Sequence, residues 1–313
     1  MPPLFSIITP SYNQAAYLEL TLRSVLEQDY PAVEYLVADG ASSDGSAEII
    51  RRYAGRLAWW VSEKDGGQAE AINKGFARAT GEYVAWLNSD DIYLPGALRA
   101  AADTFAAHPQ VGLVFGDVVS IDGEGRPINV MVFGPRGLDE LLCFNIISQP
   151  GVFLRRSLLA QTGLLDESYH YLLDHHLWLR AAQASGMHYL PQRLAAARFH
   201  AGAKNVAQAA AFGREAFRII AWMPTQPGLQ ESYRRLRRRI WAGAYRFDGR
   251  YLQDGGQPKA ALAAYLRSLV SHPATALVEW RRMLYAAASL VVNPERLKRR
   301  YLERRQKNLD DRL

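Results

Sequence analysis

The sequence predicts an α/β fold in which a mostly parallel sheet is flanked by helices. Through the first ninety residues, short apolar runs rich in β-branched and aromatic residues alternate with segments of helical spacing, which is the pattern of parallel βαβ units. A polar cluster follows each apolar run, as loops do at the carboxyl edge of such a sheet. After residue 205 the spacing is helical and basic residues are frequent, so we expect a helical C-terminal extension.

Each element of the α/β part has a local cause. Apolar runs predict strands at 4–8, 35–38, 57–61 and 83–87. Helical spacing predicts intervening helices at 15–28, through 49–53 and at 69–79. Asp44 or Ser46 is suited to begin the second of these helices, because Asp and Ser side chains accept hydrogen bonds from the first free N–H groups of a helix.

The fourth strand ends at Asn88, Ser89, Asp90 and Asp91. Two adjacent carboxylates at the end of a buried strand are costly unless a positive group meets them. Oxygen ligands of this kind suit Mg²⁺ or Mn²⁺ that is held partly by substrate phosphates. From these four residues alone, a helix cap or a solvated turn is an equal alternative.

Four polar positions are expected at one edge of the sheet. Thr9, Asp39, Asp65 and Asp90 each follow a predicted strand, and parallel strands bring their carboxyl ends to the same side. No Gly-x-Gly-x-x-Gly follows the first strand and no P-loop lysine motif occurs, which disfavours the usual dinucleotide site and P-loop phosphoryl transfer. An acidic edge would bind an anionic nucleotide through a divalent cation.

Composition is that of a globular protein, with 49% hydrophobic and 22% charged residues among 313. The single cysteine, Cys143, excludes an internal disulfide and fits a reducing compartment. We find no secretory signal and no apolar run of the roughly 18 residues that span a bilayer. The sequence therefore predicts a cytoplasmic location.

The net charge of +6 is concentrated in the C-terminal third. Residues 234–239 contain five arginines, and residues 281–313 carry ten Lys or Arg against four Asp or Glu. Such a region favours an anionic partner, with solvated helix faces as the alternative. Nucleic acid is not expected, because aromatic and basic residues are not interleaved and no recognition fold is evident.

The segments FSIITPSYNQAAYLELTLRSVLEQDYPAVEYLVADGASSDGS and WWVSEKDGGQAEAINKGFARATGEYVAWLNSDD resemble family 2 glycosyltransferases, and the resemblance extends over about residues 4–205. It implies a GT-A fold, which is Rossmann-like, and transfer of a sugar from a nucleotide-diphosphate donor, usually with inversion and a divalent metal. On this basis we expect a nucleotide-sugar-binding catalytic domain over 1–205 and a basic helical region over 206–313.

The resemblance also assigns donor-site residues. In the family, the matching positions touch the nucleobase and ribose, shape their pocket, border the base and sugar, or face the diphosphate. In this chain they are Thr9, Pro10, Ser11, Tyr12, Asp39, Asp65, Asn73 and Lys74. Lys74 is suited to pair with phosphate as a point charge.

Asn88-Ser89-Asp90 fills the family's Asp-x-Asp metal motif, with Asn in the first position. This departure moves the metal contact to Asp90, with Asp91 as a second ligand or orienting group. His200, in an Arg-x-His segment, is a candidate third ligand or diphosphate contact, and a plain surface histidine is an equal alternative. The expected cofactor is Mn²⁺ or Mg²⁺.

Asp174, just before a Leu-Trp-Leu-Arg run, falls on the family's catalytic-base position. In-line attack by an acceptor hydroxyl needs a group to take its proton, although the same carboxylate also suits a helix N-cap. Gln149 and His175 are candidate acceptor contacts. Many members have acidic residues where this chain has Leu173 and His176.

The C-terminal region contains two recognisable patterns. Residues 245–273 resemble a single tetratricopeptide-like helical hairpin, with a turn at Gly255-Gly256 and a closing Pro273. Beyond residue 281, apolar residues lie among basic ones at Leu284, Leu290, Val291, Leu297 and Leu302. This stripe favours peripheral contact with an anionic membrane, with a plain capping helix as the alternative.

These features predict a metal-dependent, inverting glycosyltransferase that acts on a glycan or lipid-linked acceptor in surface polysaccharide synthesis, at the cytoplasmic side of the membrane. The alternative is a non-catalytic nucleotide-sugar-binding or scaffold protein of the same fold. Asn88 and the missing acidic neighbours of Asp174 favour that alternative, whereas the presence of Asp90, Asp91 and Asp174 argues against it.

Overall fold

The computed structural model describes residues 1–200 and 208–290. Its backbone forms two compact units. Unit 1 comprises Met1–Ile121, Val130–Gly137 and Ile147–Arg198. Unit 2 comprises Asp122–Asn129, Leu138–Ile146 and the chain after Arg198. The domain boundary predicted at residue 205 stays a prediction, because residues 201–207 lie outside the described part.

One nine-stranded sheet has the order β3-β2-β1-β4-β8-β6-β9-β5, and β7 pairs with β6. The strands are β1 Phe5–Ser11, β2 Val33–Asp39, β3 Trp59–Ser62, β4 Tyr83–Trp86, β5 Ile92–Tyr93, β6 Val111–Ile121, β7 Pro127–Met131, β8 Val152–Arg155 and β9 Gly186–Arg198. The first four strands are mutually parallel, as predicted. Strands β8 and β5 enter antiparallel, whereas β6 and β9 run parallel to each other.

Strand β1 is longer than predicted, because it continues through Pro10 to Ser11. Proline lacks the N–H that a central strand needs, so it is confined to places where one side is unpaired. Strand β4 pairs with β1 only from Phe5 to Ile8, whereas β2 pairs along its whole length. Pro10 therefore lies where β1 has a neighbour on one side only.

Residues 1–200 contain seven α-helices. They are α1 Ala15–Leu26, α2 Ser46–Tyr53, α3 Gln68–Phe76, α4 Ala97–Ala107, α5 Leu138–Leu142, α6 Arg156–Thr162 and α7 Leu173–Ala184, of which α5 belongs to unit 2. Helix α3 packs unusually close to β1, since a Cβ added at Gly75 would meet the side chain of Ile8 at 2.5 Å. Glycine in the Asn-Lys-Gly segment is thus explained by helix–strand packing.

The core of unit 1 lies on the buried faces of the sheet. Ile7, Leu22 and Phe105 are fully buried, and Tyr83 stacks on Phe105 with ring centroids 4.4 Å apart. Burial of a large apolar side chain is worth about 1.5–3 kcal/mol. The polar residues discussed below are therefore carried by a packed scaffold.

Strands β6 and β7 follow α4 and form a pair. Strand β6 continues through Gly116 and Asp117 to Ile121, and β7 pairs with it. In the connecting turn the Asp122 N–H donates to the Arg126 carbonyl at 2.9 Å.

Unit 2 contains a helical hairpin where the tetratricopeptide-like pattern predicted one. Its helices are α8 Ala209–Trp222, α9 Gln230–Asp254, α10 Pro258–Ser271, α11 Pro273–Leu277 and α12 Trp280–Ala288. Helices α9 and α10 form the hairpin, and the Ser268 hydroxyl on α10 donates to the Ala242 carbonyl on α9 at 2.7 Å. No helix within residues 1–200 and 208–290 is both long and apolar enough to cross a membrane.

A buried carboxylate at the start of α12 is paired with α9 in unit 2. The side chain of Glu279 is 9% exposed and is paired with Arg250, while Arg246 lies 3.9 Å away. Burial by itself raises the pKa of Glu279. The charge of Arg250 and its hydrogen bond to Glu279 together lower the pKa by more than burial raises it, so the pKa is below its usual value. Arg282 pairs with Asp254 at 3.0 Å.

Candidate active site

The carboxyl ends of β1 to β4 meet at one edge of the sheet of unit 1. Backbone bonds continue past the strand ends, since the Gly40 N–H donates to the Ser11 carbonyl at 2.9 Å and the Leu87 N–H donates to the Ile8 carbonyl at 2.8 Å. The loops after these strands are therefore neighbours, which is the arrangement that parallel strands impose. We call this set of loops the strand-end edge.

Asp39 is fixed at the end of β2 and is 1% exposed. Its carboxylate accepts from the Ser42 N–H at 3.0 Å and from the Ser62 hydroxyl at 2.6 Å. Asp65 is close by, because a Cβ added at Gly40 would lie 2.9 Å from the Asp65 carboxylate. Burial, together with the charges of Glu70 and Asp39, raises the pKa of Asp65.

The end of β1 divides into buried and exposed positions. The Thr9 hydroxyl is wholly buried and hydrogen-bonded to the Tyr35 hydroxyl at 2.8 Å, and the predicted nucleotide contact of Thr9 stays a prediction. Ser11 is 3% exposed and its hydroxyl has no hydrogen-bond partner within the described chain. Tyr12 is 64% exposed. A polar group of a ligand could satisfy Ser11, and a planar group could stack on Tyr12.

The loop after β4 is held by Gln68 of α3, by Arg198 of β9 and by a bond within the loop. The Gln68 side chain donates to the Asn88 amide oxygen at 2.7 Å. Asp91, which is 5% exposed, accepts from the Arg198 N–H at 2.8 Å and from the Asn88 amide at 3.4 Å. Burial and the charge of Asp90 raise the pKa of Asp91 well above its usual value. Ser89 is buried and Asp90 is half-buried.

Arg198 is a site residue that is not among those predicted from the sequence. It is 5% exposed, its Nε donates to the Asp90 carbonyl at 2.9 Å, and its guanidinium lies 4.7 Å from the ring centre of Tyr17. It is thus a cation beside the two adjacent carboxylates. The signal was present, since Arg198 opens the Arg-x-His segment in which only His200 was singled out.

A divalent cation fits this edge only if the substrate supplies part of its shell. No group of three or more His, Cys, Asp or Glu side chains in residues 1–200 and 208–290 is arranged to hold a metal. Asp91 is buried and engaged with Arg198 and Asn88, which suits an orienting group better than a ligand. Asp90 offers a half-buried carboxylate of the hard-oxygen type that Mg²⁺ and Mn²⁺ accept, with phosphates and water completing the shell.

Lys74, on α3, is paired with carboxylates in this structure. Its Nζ lies 2.9 Å from Glu63 and 2.9 Å from Glu70. Hydrogen bonds to Glu70 and then Glu63 raise the pKa of Lys74. The Glu70 carboxylate also accepts from the Gly66 N–H at 2.6 Å. A diphosphate would compete with these carboxylates for Lys74, so its predicted role stays a prediction.

Asn73 has a side-chain environment that the sequence did not predict. Its side-chain amide donates to the Leu165 carbonyl at 3.0 Å and to Glu167 at 3.0 Å, and its oxygen accepts from the Leu165 N–H at 3.1 Å. These bonds fix the loop that leads to α7. The predicted diphosphate contact of Asn73 stays a prediction.

We expect Asn73→Ala to lower turnover more than donor affinity. The substitution leaves both backbone groups of buried Leu165 without partners, which costs about 1–3 kcal/mol of folding stability. Thermal midpoint, kcat and metal-dependent nucleotide-diphosphate Kd separate the effects. Lys74→Gln is the companion variant, expected to raise Kd with little loss of stability. A Kd raised more by Asn73→Ala than by Lys74→Gln would support the diphosphate role.

Helix α7 carries Asp174 in its first turn, where the carboxylate accepts from the His175 N–H at 2.7 Å. Arg180 anchors the helix by donating to the Thr162 and Leu164 carbonyls at 2.7 and 2.8 Å. The side chain of Trp178, four residues after Asp174, stacks on Trp86 with ring centroids 5.1 Å apart. Residues four apart share a helix face.

That stack packs α7 against the end of β4. Trp86 is the last residue of β4, two residues before Asn88, and Trp178 is 1% exposed. The helix that carries Asp174 therefore contacts the strand that leads to the metal motif. The roles predicted for Asp174 and Asp90 stay predictions.

Three remaining candidates have less accessible or separate positions. His175 is wholly buried and Gln149 is 8% exposed, with its side-chain amide donating to the Trp86 carbonyl at 2.6 Å. An acceptor could reach the Gln149 amide oxygen, which has no partner in the described chain, more readily than the His175 ring. His200 belongs to unit 2, whereas Asp90 and Asp91 belong to unit 1. These three roles stay predictions.

Comparison with known proteins decides the family. The model of glycosyl transferase family 2 matches residues 6–161. A PGL/p-HBAD biosynthesis glycosyltransferase of Mycobacterium bovis is 32% identical over 176 residues, which cover 55% of this chain and 67% of that protein. The chain belongs to glycosyl transferase family 2. The family predicted from the motifs is thus confirmed.

Another relative of this family 2 chain is the putative teichuronic acid biosynthesis glycosyltransferase TuaG of Bacillus subtilis. It is 34% identical over 169 residues, which cover 52% of this chain. The chain spans 66% of the length of TuaG, just under two thirds.

Solved structures agree in fold. TarS residues 1–349 of S. aureus, in complex with UDP-GlcNAc, matches with a TM-score of 0.64 at 18% identity, covering 93% of this chain and 95% of that one. The mannosyltransferase PcManGT of Pyrobaculum calidifontis, in complex with GDP-Man and Mn²⁺, matches with a TM-score of 0.59 at 24% identity, covering 100% and 89%. The predicted GT-A fold with its helical C-terminal region is confirmed.

Proposed function

We propose that this chain transfers a glycosyl group, with inversion and with a divalent metal, from a nucleotide-diphosphate sugar to a glycan or lipid-linked acceptor in surface polysaccharide synthesis. The observation that carries the proposal is the Trp86–Trp178 stack. It packs α7, which carries the candidate base Asp174, against the end of β4, the strand that leads to the candidate metal ligand Asp90. A base next to a diphosphate-binding edge is what in-line glycosyl transfer requires.

The donor occupies the strand-end edge in this proposal. The base and ribose lie against Asp39, Ser11 and Tyr12, and the diphosphate lies near Asp90 and Lys74. Asp90, together with the donor phosphates, would hold Mn²⁺ or Mg²⁺, which would supply charge stabilisation for the leaving diphosphate. Asp91 orients the loop through Arg198 and Asn88. The acidic edge supports a cation because an unaccompanied diphosphate would be repelled.

Asp174 removes the proton from the acceptor hydroxyl as that oxygen attacks the anomeric carbon. The bond to the nucleotide diphosphate breaks on the opposite face of the sugar, so a single displacement inverts the configuration. The His175 N–H donates to the Asp174 carboxylate and holds it at the start of α7, and this carboxylate is the proton acceptor in the proposal. Gln149 and His175 are our candidates for acceptor contact, and His200 stays a candidate metal ligand or diphosphate contact.

The names of the relatives support a biological setting for this proposal. TuaG is named for teichuronic acid biosynthesis and the M. bovis relative for PGL/p-HBAD biosynthesis. TarS is described with UDP-GlcNAc and PcManGT with GDP-Man and Mn²⁺. By analogy we propose action at the cytoplasmic side of a membrane, where a lipid-linked acceptor is presented.

A thermal-shift panel tests the proposal. Nucleotide diphosphates and nucleotide sugars, each with and without Mn²⁺, are added to the purified chain, since a ligand that binds only the folded state raises its stability. We expect a metal-dependent shift with one nucleotide class, followed by product formation when candidate acceptors are added. Binding without turnover on any acceptor would favour the non-catalytic alternative, and no shift with any nucleotide would contradict the proposed donor site.

A further inference from the structure

Unit 2 exposes a cluster of large apolar side chains near the end of the described chain. Leu277 is 50% exposed, Val278 72%, Trp280 50% and Leu284 60%. Large apolar residues exposed singly are ordinary, whereas a contiguous group indicates an interaction site. We call these four residues the 277–284 surface.

The helix that carries this surface has a defined inner and outer face. Ala286 is wholly buried against Ala261 and Tyr265 of α10, with Met283 packed beside them. Trp280 and Leu284 are four residues apart on α12, so they share a face, and both are exposed. The apolar residues of the outer face are therefore not needed for the helix to pack in its own unit.

The ionised groups around this surface leave a positive charge. Glu279 is buried and paired with Arg250, and Arg282 is paired with Asp254. The Arg281 guanidinium lies 5.4 Å from the ring centre of Trp280. Arg281 has no carboxylate partner in the described residues. The outer face thus combines exposed aliphatic side chains, a tryptophan and an unneutralised arginine.

We propose that the 277–284 surface docks on an anionic lipid bilayer. Leu277, Val278 and Leu284 enter the acyl boundary, Trp280 lies at the headgroup level, and Arg281 meets lipid phosphates. Tryptophan and arginine suit an interface of this kind because each has an apolar body and a polar end. Positions 281–313 contain ten basic and four acidic residues, and their net positive charge adds to the attraction to anionic lipids.

A second copy of the chain fits this surface less well. In a two-fold interface the same patch meets itself, so each Arg281 would approach its equivalent with no carboxylate to separate them. An anionic bilayer supplies both the apolar phase and the opposite charge. The inference extends the proposed function, since a lipid-linked acceptor is presented at such a bilayer, but docking itself requires neither donor nor turnover.

Vesicle flotation tests the docking. The full chain is mixed with vesicles of phosphatidylcholine alone or with about one third phosphatidylglycerol, without nucleotide. We expect binding to the mixed vesicles, and an approximately tenfold weaker partition for Leu284→Gln, because one large apolar side chain is withdrawn from lipid. Leu20→Gln is the matched control, since Leu20 is 51% exposed on α1 of unit 1. It should bind as wild type does.

The charge requirement has its own variant. Arg281→Glu should weaken binding to the anionic vesicles about tenfold or more, while Arg51→Glu, a charge reversal on α2, should have a much smaller effect. Equal flotation of wild type and Leu284→Gln would overturn the proposal. So would equal binding to neutral vesicles, or a dimer in solution that Leu284→Gln dissociates. Activity on a water-soluble acceptor is recorded separately, so failure of docking and failure of glycosyl transfer are distinguishable.

Discussion

Asp174→Asn should lower kcat by about 10²- to 10⁴-fold while leaving the Kd of the metal-bound nucleotide diphosphate nearly unchanged. That range is what a positioned general base contributes. Asparagine keeps a carbonyl oxygen for the His175 N–H, so the first turn of α7 retains its hydrogen bond. It cannot accept the acceptor's proton, so only the chemical step is affected.

This variant separates the two roles that a carboxylate at a helix N-terminus can have. A cap or dipole role is worth about 0.3–1 kcal/mol of stability, and asparagine preserves most of it. Turnover is followed by release of nucleotide diphosphate, and stability by the thermal midpoint. The matched control is Glu48→Gln, because Glu48 is also an acid in the first turn of a helix.

Two results would contradict the role of Asp174 as base. One is full turnover by Asp174→Asn. The other is an equal loss in Glu48→Gln, which would indicate a general effect of removing first-turn acids. If Asp174→Ala unfolds, the asparagine variant still decides the question.

Asp90→Asn should abolish the metal-dependent stabilisation by nucleotide diphosphate. At a ligand concentration of 100 Kd, bound ligand stabilises the folded state by about 2.7 kcal/mol. A hundredfold weaker affinity for the nucleotide diphosphate removes most of that stabilisation. Turnover should fall by about a hundredfold or more. The measurement is the thermal midpoint with and without Mn²⁺ and nucleotide, followed by titration calorimetry.

The unliganded Asp90→Asn variant should be at least as stable as wild type at neutral pH. Burial and the charge of Asp90 raise the pKa of Asp91, so the folded state holds that proton more tightly than the unfolded state does. Stability is then lost as pH rises through the folded pKa. Removing the charge of Asp90 lowers this pKa and recovers part of that stability. A variant that is less stable would contradict the repulsion between the two carboxylates.

Asp29→Asn is the control for charge count. Asp29 is an exposed acid of unit 1 that pairs with Arg99, away from the strand-end edge. Its substitution should leave the metal-dependent shift intact. If both variants lose the shift, the effect is a property of net charge and Asp90 is not the ligand.

Local sequence patterns were sufficient to predict the fold class and the parallel βαβ alternation of the first ninety residues, and the motifs were sufficient to predict the family. Parallel βαβ alternation is a local pattern, and each polar cluster after a strand is visible in the chain. Asp39, Asp65 and Asp90 were expected at one edge because parallel strands align their carboxyl ends. The helical hairpin of residues 245–273 was likewise visible in its glycine turn and small residues.

The contacts of individual side chains are visible only in the folded structure. Thr9 and Asn73 match the family pattern, yet their polar atoms bond Tyr35 and Leu165, residues 26 and 92 positions away in the chain. Arg198 reaches the Asp90 carbonyl across 108 positions. Periodicity and turn chemistry are local properties of the sequence. Pairings between distant residues depend on how strands and helices pack, and local patterns in one sequence do not reveal that packing.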